Sequence, residues 1–157
     1  MVKKTLSSFE FDSDIQVIGI AYHLPDYRLS FSINKQFGFN LKKLPDLPVS
    51  LTKNKLPLSF SLYFYNNSDL QNSYYLISNE NGKLIPNFPK INYFLLITDN
   101  VDIKHIVQMI KNLRSMPNII TAVTIDIASI NNFEHILHDL EFHLSNIFKL
   151  EKNKFSF

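Results

Sequence analysis

The chain of 157 residues contains no cysteine. Disulfides, thiolate nucleophiles and cysteine-ligated zinc are therefore excluded together. Glycine is almost as scarce, and Gly19, Gly38 and Gly82 lie far apart in sequence. Phosphate-cradling loops of the GxGxxG or Walker type are absent, and so is the GxSxG turn that presents a nucleophilic serine. Arginine is limited to Arg28 and Arg114 against fourteen lysines, with a net charge of +2. Bidentate reading of phosphates and base edges depends on the planar guanidinium fork, so this balance argues against nucleic acid as the main partner. No run approaches the roughly 18 uninterrupted apolar residues of a membrane span. The opening "MVKKTLSSFEFDSD" has two lysines without an apolar stretch behind them, which does not fit a secretory signal. The expectation is a cytoplasmic protein that does not enter a membrane.

What the chain does have is apolar mass: 45% hydrophobic residues, including 14 phenylalanines. A chain of this length buries roughly 70% of its unfolded surface, enough for one domain over residues 1–157, with 149–157 a candidate tail. "IQVIGIAY" at 15–22 reads as a buried strand, with Gly19 marking a bulge or close packing. Residues 26–37 alternate like a strand, yet Pro25, Asp26 and Gly38 punctuate a helix with Leu29, Ile33 and Phe37 on one stripe. "LKKLPDLPVSLTKNKLP" is broken by prolines and reads as a connection with at most a short edge strand. "LSFSLYFY" at 58–65 is the clearest strand, with Leu58, Phe60, Leu62 and Phe64 on one face and Ser59, Ser61, Tyr63 and Tyr65 on the other. "SYYLIS", Asn81-Gly82 and "KLIP" suggest a hairpin. "INYFLLIT" is apolar on both faces, as a central, doubly covered strand is.

A helix follows, capped by Asn100 or Asp102, with Ile103, Ile106, Val107, Ile110 and Leu113 on one stripe and Pro117 beyond its end. "NIITAVTIDI" returns as a strand, completing a strand–helix–strand unit. A last helix over roughly 131–149 carries Phe133, Ile136, Leu137, Leu140, Leu144, Ile147 and Phe148 on one face. The fold expected is α+β: a mainly antiparallel sheet with packed helices.

Ile85-Pro86-Asn87, three residues, then Ile91-Asn92-Tyr93 and "FLLI" resemble the signature of the IPExxxVDY family, small bacterial proteins known mainly from Bacteroidota. "DYRL" at 26–29, "INKQFG" after it and "RSMPNIITAVTID" at 114–126 are similar to that family too, so the resemblance spans roughly residues 10–127. It implies a helix after Asp26 and brings no assigned activity. The chain departs from the signature where Asn87 and Asn92 replace Glu and Asp. A carboxamide is not a general base and is a poor anionic metal ligand, so these positions point to structure. A second stretch, from Asn92 to Asp126, resembles ACT-type regulatory domains, which bind small metabolites near a strand-to-helix loop. That loop here is "TDNVD", without glycine.

The one metal-like cluster is His135, His138, Asp139 and His143. Helical spacing turns His135 and His138 to solvent and leaves His143 on the flank of the apolar stripe. No catalytic residue, metal or cofactor is expected. His23, Asp26 and Arg28 form a candidate polar site at the start of the first helix, and His105 is expected to be partly exposed. Lys42/Lys43 and Lys53/Lys55 read as solvated charges, while Phe155 and Phe157 are candidate docking groups. The expected function is a non-catalytic protein–protein interaction module that contacts a protein partner through Tyr63, Tyr65 and Tyr75 (or Tyr74, depending on register), together with Asp26 and Arg28; the alternative for this face is cover by a helix or the C-terminal tail. Mixed tyrosine, serine and asparagine suit an adaptable binding surface. The alternatives are a small-ligand regulatory domain or a weakly RNA-associated protein.

Overall fold

Every strand in this chain carries apolar residues on both sides of its pleat or is backed by one that does, so the sheet they form needs cover on both faces. The computed structural model describes residues 14–51 and 55–154. Among these residues six strands, β1 (Ile15–Ala21), β2 (Lys42–Val49), β3 (Leu58–Asn67), β4 (Asn72–Ser78), β5 (Tyr93–Asp99) and β6 (Thr121–Ile125), form one sheet in the order β2-β3-β4-β5-β1-β6. All neighbours are antiparallel. Three helices, α1 (Asp26–Phe37), α2 (Ile103–Arg114) and α3 (Phe133–Lys154), complete an α+β fold. Among the described residues, no helix is long and apolar enough to cross a membrane.

The helices lie on both sides of the sheet. Leu29 and Ile33 of α1 and Ile106, Met109, Ile110 and Leu113 of α2 pack with Ile18, Ile20, Tyr63, Tyr74, Leu76, Leu95 and Ile97. On the opposite face Phe133, Ile136, Leu140 and Leu144 of α3 pack with Val17, Phe60, Leu62, Tyr75, Ile77, Phe94 and Leu96. The strand at 93–99 is central and covered twice, as its composition implied.

The punctuation reading of residues 26–37 holds. Gly38 ends α1 with φ 68 and places its N–H on the carbonyl of Asn34, a left-handed cap that favours glycine. Asp102, rather than Asn100, caps α2 by accepting from the Lys104 N–H. The strand–helix–strand unit β5–α2–β6 is present, but β1 lies between its two strands. Gly19 marks close packing, because a Cβ there would meet Ile125 and Ile91 side chains at 3.1–3.2 Å.

Several expectations change. The proline-rich segment is an edge strand of eight residues, β2, because an edge needs no outward donors and so accepts Pro45 and Pro48. Asn81-Gly82 is not a hairpin turn: β4 pairs directly with β5, and residues 79–92 form a folded loop between them. Buried Asn79 organises that loop. Its Nδ2 donates to the carbonyls of Phe88 (3.0 Å) and Ile91 (2.8 Å), and its Oδ1 accepts from the Ile85 N–H at 2.8 Å. Gly82 (φ 79) lets the loop close on itself, since a Cβ there would come within 3.2 Å of Pro89 Cα.

The third change is in α2. Its buried stripe includes Met109, while Ile103 and Val107 face outward. The fourth is Leu58, which is exposed at the start of β3 rather than buried. At the other end of the chain α3 continues through Lys154, past the boundary expected near 149. Phe155, Phe157 and Lys53 lie outside the described residues.

Candidate binding surface

The expected tyrosine face does not exist as a free surface, and register explains why. Tyr65 pairs with Tyr74, so Tyr74 extends the side of Tyr63 and Tyr65, whereas Tyr75 pairs with Phe64 and points to the opposite side. That opposite side lies beneath α3, where Phe64 packs between Tyr75 (ring centroids 5.2 Å apart) and Phe148 (5.7 Å). Burial, and after it the Asp99 charge, push the Tyr75 phenol above its ordinary range. Tyr63 and Tyr65 are covered by the α1 unit. The chain reversal at Gly38 lays Phe39 on Tyr65 and Tyr74, with centroids 4.9 and 4.5 Å away. Tyr63 is buried and Tyr65 half-buried, so neither is a solvent-facing contact residue.

The structure does bring Asp26 and Tyr63 together. The Tyr63 hydroxyl donates to Asp26 Oδ2 at 3.2 Å, and Lys43 Nζ stands 5.7 Å from the ring centroid. Desolvation first, then the Asp26 charge, raise the Tyr63 pKa, which keeps the phenol a donor. Nearby, Tyr93 donates to the Leu24 carbonyl at 2.9 Å and packs edge-on against Tyr22. Burial, then Asp26, push its pKa up to about 12. This cluster fixes the start of α1 to the sheet. His23 and Arg28 do not join it, since both are exposed.

Fixing α1 in this way determines what its outer side presents. With Leu29 and Ile33 inward, residues two positions before each fall on the outer flank, at 100° per residue. These are Tyr27 and Phe31, which are 63% and 68% exposed, one turn apart, with Arg28 and Lys35 exposed beside them. Sequence reasoning kept Arg28 and passed over the two aromatics. The signal was there, because the helical stripe Leu29–Ile33–Phe37 leaves Tyr27 and Phe31 no place in the core.

The signature-like residues have structural partners. Asn87 Nδ2 donates to the Ser129 carbonyl at 2.6 Å, and Asn92 Oδ1 accepts from the Tyr22 N–H at 2.7 Å. An aspartate accepts as an asparagine does; a glutamate does not donate. Asn92→Asp is therefore expected to cost under about 1 kcal/mol, against about 1–3 kcal/mol for Asn92→Ala, which orphans the Tyr22 N–H. Exposed Asn87→Glu is expected to stay within about 0.5 kcal/mol. Denaturant titration of the three variants checks this, and equal losses for Asn92→Asp and Asn92→Ala would contradict it.

The histidine cluster also has a role that spacing alone did not reveal. His135 Nε2 lies 2.6 Å from the Ser50 carbonyl and His143 Nε2 lies 2.9 Å from that of Pro45. A carbonyl only accepts, so each ring carries a proton on that nitrogen. Asp139 Oδ2 accepts from the Ser50 N–H at 3.2 Å. Thus α3 covers the edge strand β2, and His135 is engaged there rather than simply solvated; His138 is exposed. Among the described residues, no group of three or more His, Asp or Glu is placed to hold a metal ion. Lys43 pairs with Asp46 on the same strand.

Two polar atoms are buried without a hydrogen-bond partner among the described residues, Asn72 Oδ1 and His105 Nε2. Asn72 pairs across the sheet with Asp99, which leads into the first turn of α2 where His105 sits. Set against protein-family models, curated proteins and solved structures, the chain matches none.

Proposed function

We propose that this chain is a non-catalytic, cytoplasmic protein-interaction module whose contact surface is the outer flank of α1. The observation that carries this reading is the pair of exposed aromatics, Tyr27 and Phe31, on a helix anchored through Asp26–Tyr63 and Tyr93–Leu24. Exposed aromatic rings beside an arginine have the composition of interface hot spots: large contact area with few rotamers to fix, and a bidentate donor at the rim. Arg28 thus keeps the binding role expected of it, and Asp26 serves by positioning the helix. Membership of the IPExxxVDY family is part of the same proposal. It is supported by the signature-like residues forming the loop that holds β5 against Tyr22.

The double variant Tyr27→Ala/Phe31→Ala is expected to lose a specific partner captured by the wild-type chain from its native cell. Its stability should stay within about 0.5 kcal/mol per site, as exposed substitutions do. Retention of the partner at full strength, or a loss of several kcal/mol, would remove the reading.

A second reading, a small-ligand regulatory domain, is favoured by the two unpartnered buried atoms at Asn72 and His105 beside the β5–α2 loop. Buried polar groups ordinarily find partners, and a small polar ligand would supply them. A heat-shift screen of small polar metabolites separates the two readings.

A further inference from the structure

The outer side of α1 carries charge of one sign. At about 100° per residue, Tyr27, Phe31, Lys35 and Arg28 fall within an arc of about 100°, opposite the midpoint of Leu29 and Ile33, and all four are exposed. Along the axis Phe31 stands between the two cations, which are about 10 Å apart at about 1.5 Å per residue. Asp26 is the one acid of this helix. It lies on the inner flank, where it accepts from the Tyr63 hydroxyl. Asp46 pairs with Lys43, and Glu80, whose charge reaches the Tyr93 phenol, belongs to the 79–92 loop. Among the described residues neither Arg28 nor Lys35 forms an ion pair.

This arrangement selects the sign of whatever covers it. Aromatic rings gain when water around them is replaced by apolar groups, whereas a cation loses by drying unless an anion takes the place of its water. Phe31 cannot be covered without also drying the flanking Arg28 and Lys35. A neutral or basic occupant would leave those charges unpaired at the contact, which is costly. A carboxylate at each end satisfies them: Arg28 by two parallel hydrogen bonds, Lys35 as a point charge.

We infer that the occupant of this face is an acidic peptide segment of a protein partner, with an apolar side chain set between two carboxylates about 10 Å apart. That separation corresponds to about seven residues of helix or about three of strand. The inference rests on the proposal that the outer flank of α1 is the contact surface, and adds the chemistry of what is contacted. An anionic membrane fits the face less well, because lipid headgroups are held by clusters of about 4–8 basic residues, and this helix turns only Arg28 and Lys35 outward.

The probe is a display library of random linear peptides selected against the full chain. The selected sequences are expected to be rich in Asp and Glu flanking Leu, Ile or Phe. A synthetic peptide of the commonest sequence should lose at least about tenfold in affinity with Arg28→Glu/Lys35→Glu, which sets like charges against each other. It should lose binding with Tyr27→Ala/Phe31→Ala as well, and weaken as salt rises from about 0.05 to about 0.5 M. Circular dichroism checks that both variants are folded. Selected peptides that need Tyr27 and Phe31 but are neutral or basic, or are indifferent to Arg28→Glu/Lys35→Glu, overturn the acidic partner and leave the contact surface standing. Peptides that ignore Tyr27 and Phe31, or none at all, remove both. Phosphatidylcholine vesicles containing phosphatidylserine are the remaining arm; vesicles bound through these four side chains in preference to acidic peptides would assign the face to an anionic membrane and overturn the inference.

Discussion

A chain ended at Ile130 is expected to be insoluble or unfolded. The missing helix α3 supplies Phe133, Ile136, Leu140 and Leu144 to one entire face of the sheet. Four buried apolar side chains at about 1.5–3 kcal/mol each amount to roughly 6–12 kcal/mol, comparable with the whole stability of a domain, about 5–15 kcal/mol. The loss extends beyond apolar cover. Ser50 and Pro45 would lose their partners Asp139, His135 and His143, leaving β2 open to pairing with other chains. Sedimentation and circular dichroism of the truncated chain measure the effect, and a soluble product with an unchanged melting temperature would refute it. Leu140→Ala, a milder lesion at a fully buried position, should cost about 2–5 kcal/mol.

Asn79→Ala should be the most damaging polar substitution tested. The residue is fully buried, and its side chain satisfies two carbonyls and one N–H of the 79–92 loop. Removing it leaves the Phe88 carbonyl with the Ile91 N–H but strands the Ile91 carbonyl and the Ile85 N–H, at about 1–3 kcal/mol for each buried group left unmade. A total of at least about 2 kcal/mol corresponds to a fall of roughly 4–8 °C in melting temperature for a chain of this size. Urea denaturation measures the loss; a cost below about 1 kcal/mol would mean that the loop is held by other contacts.

The two predictions differ in how far the sequence foretold them. The apolar spacing of Phe133, Ile136, Leu140 and Leu144 shows α3 directly, because helical periodicity is a local property. The same holds for β5 and for α1 once Pro25 and Gly38 are given weight over the strand-like alternation. Asn79 was not legible, because its partners at 85, 88 and 91 are fixed by a loop conformation that no periodicity describes. Asn-Gly at 81–82 pointed to a hairpin through local preference, but the buried amide of Asn79 and the close approach of Gly82 to Pro89 prevailed over it. The tyrosine surface failed for another reason. Alternation along β3 told correctly which residues share a face, but not that α1 and Phe39 cover that face, nor that register gives Tyr74 and not Tyr75 to it. For α2 the outward Ile103 and Val107 were counted as core because hydrophobicity was taken as burial, and surfaces carry many apolar side chains.

The position of β1 between β5 and β6 has a consequence for synthesis. Strand β1 leaves the ribosome well before either neighbour: Ile18 pairs with Leu95, 95 − 18 = 77 residues on, and Val17 with Ile125, 125 − 17 = 108 residues on. At about 5–20 residues per second, the apolar stretch IQVIGIA waits several seconds with both edges unpaired. Strands β2, β3 and β4, joined by short connections, have the opportunity to assemble during that interval. The nascent chain therefore carries this apolar strand without its neighbours until β5 and β6 arrive.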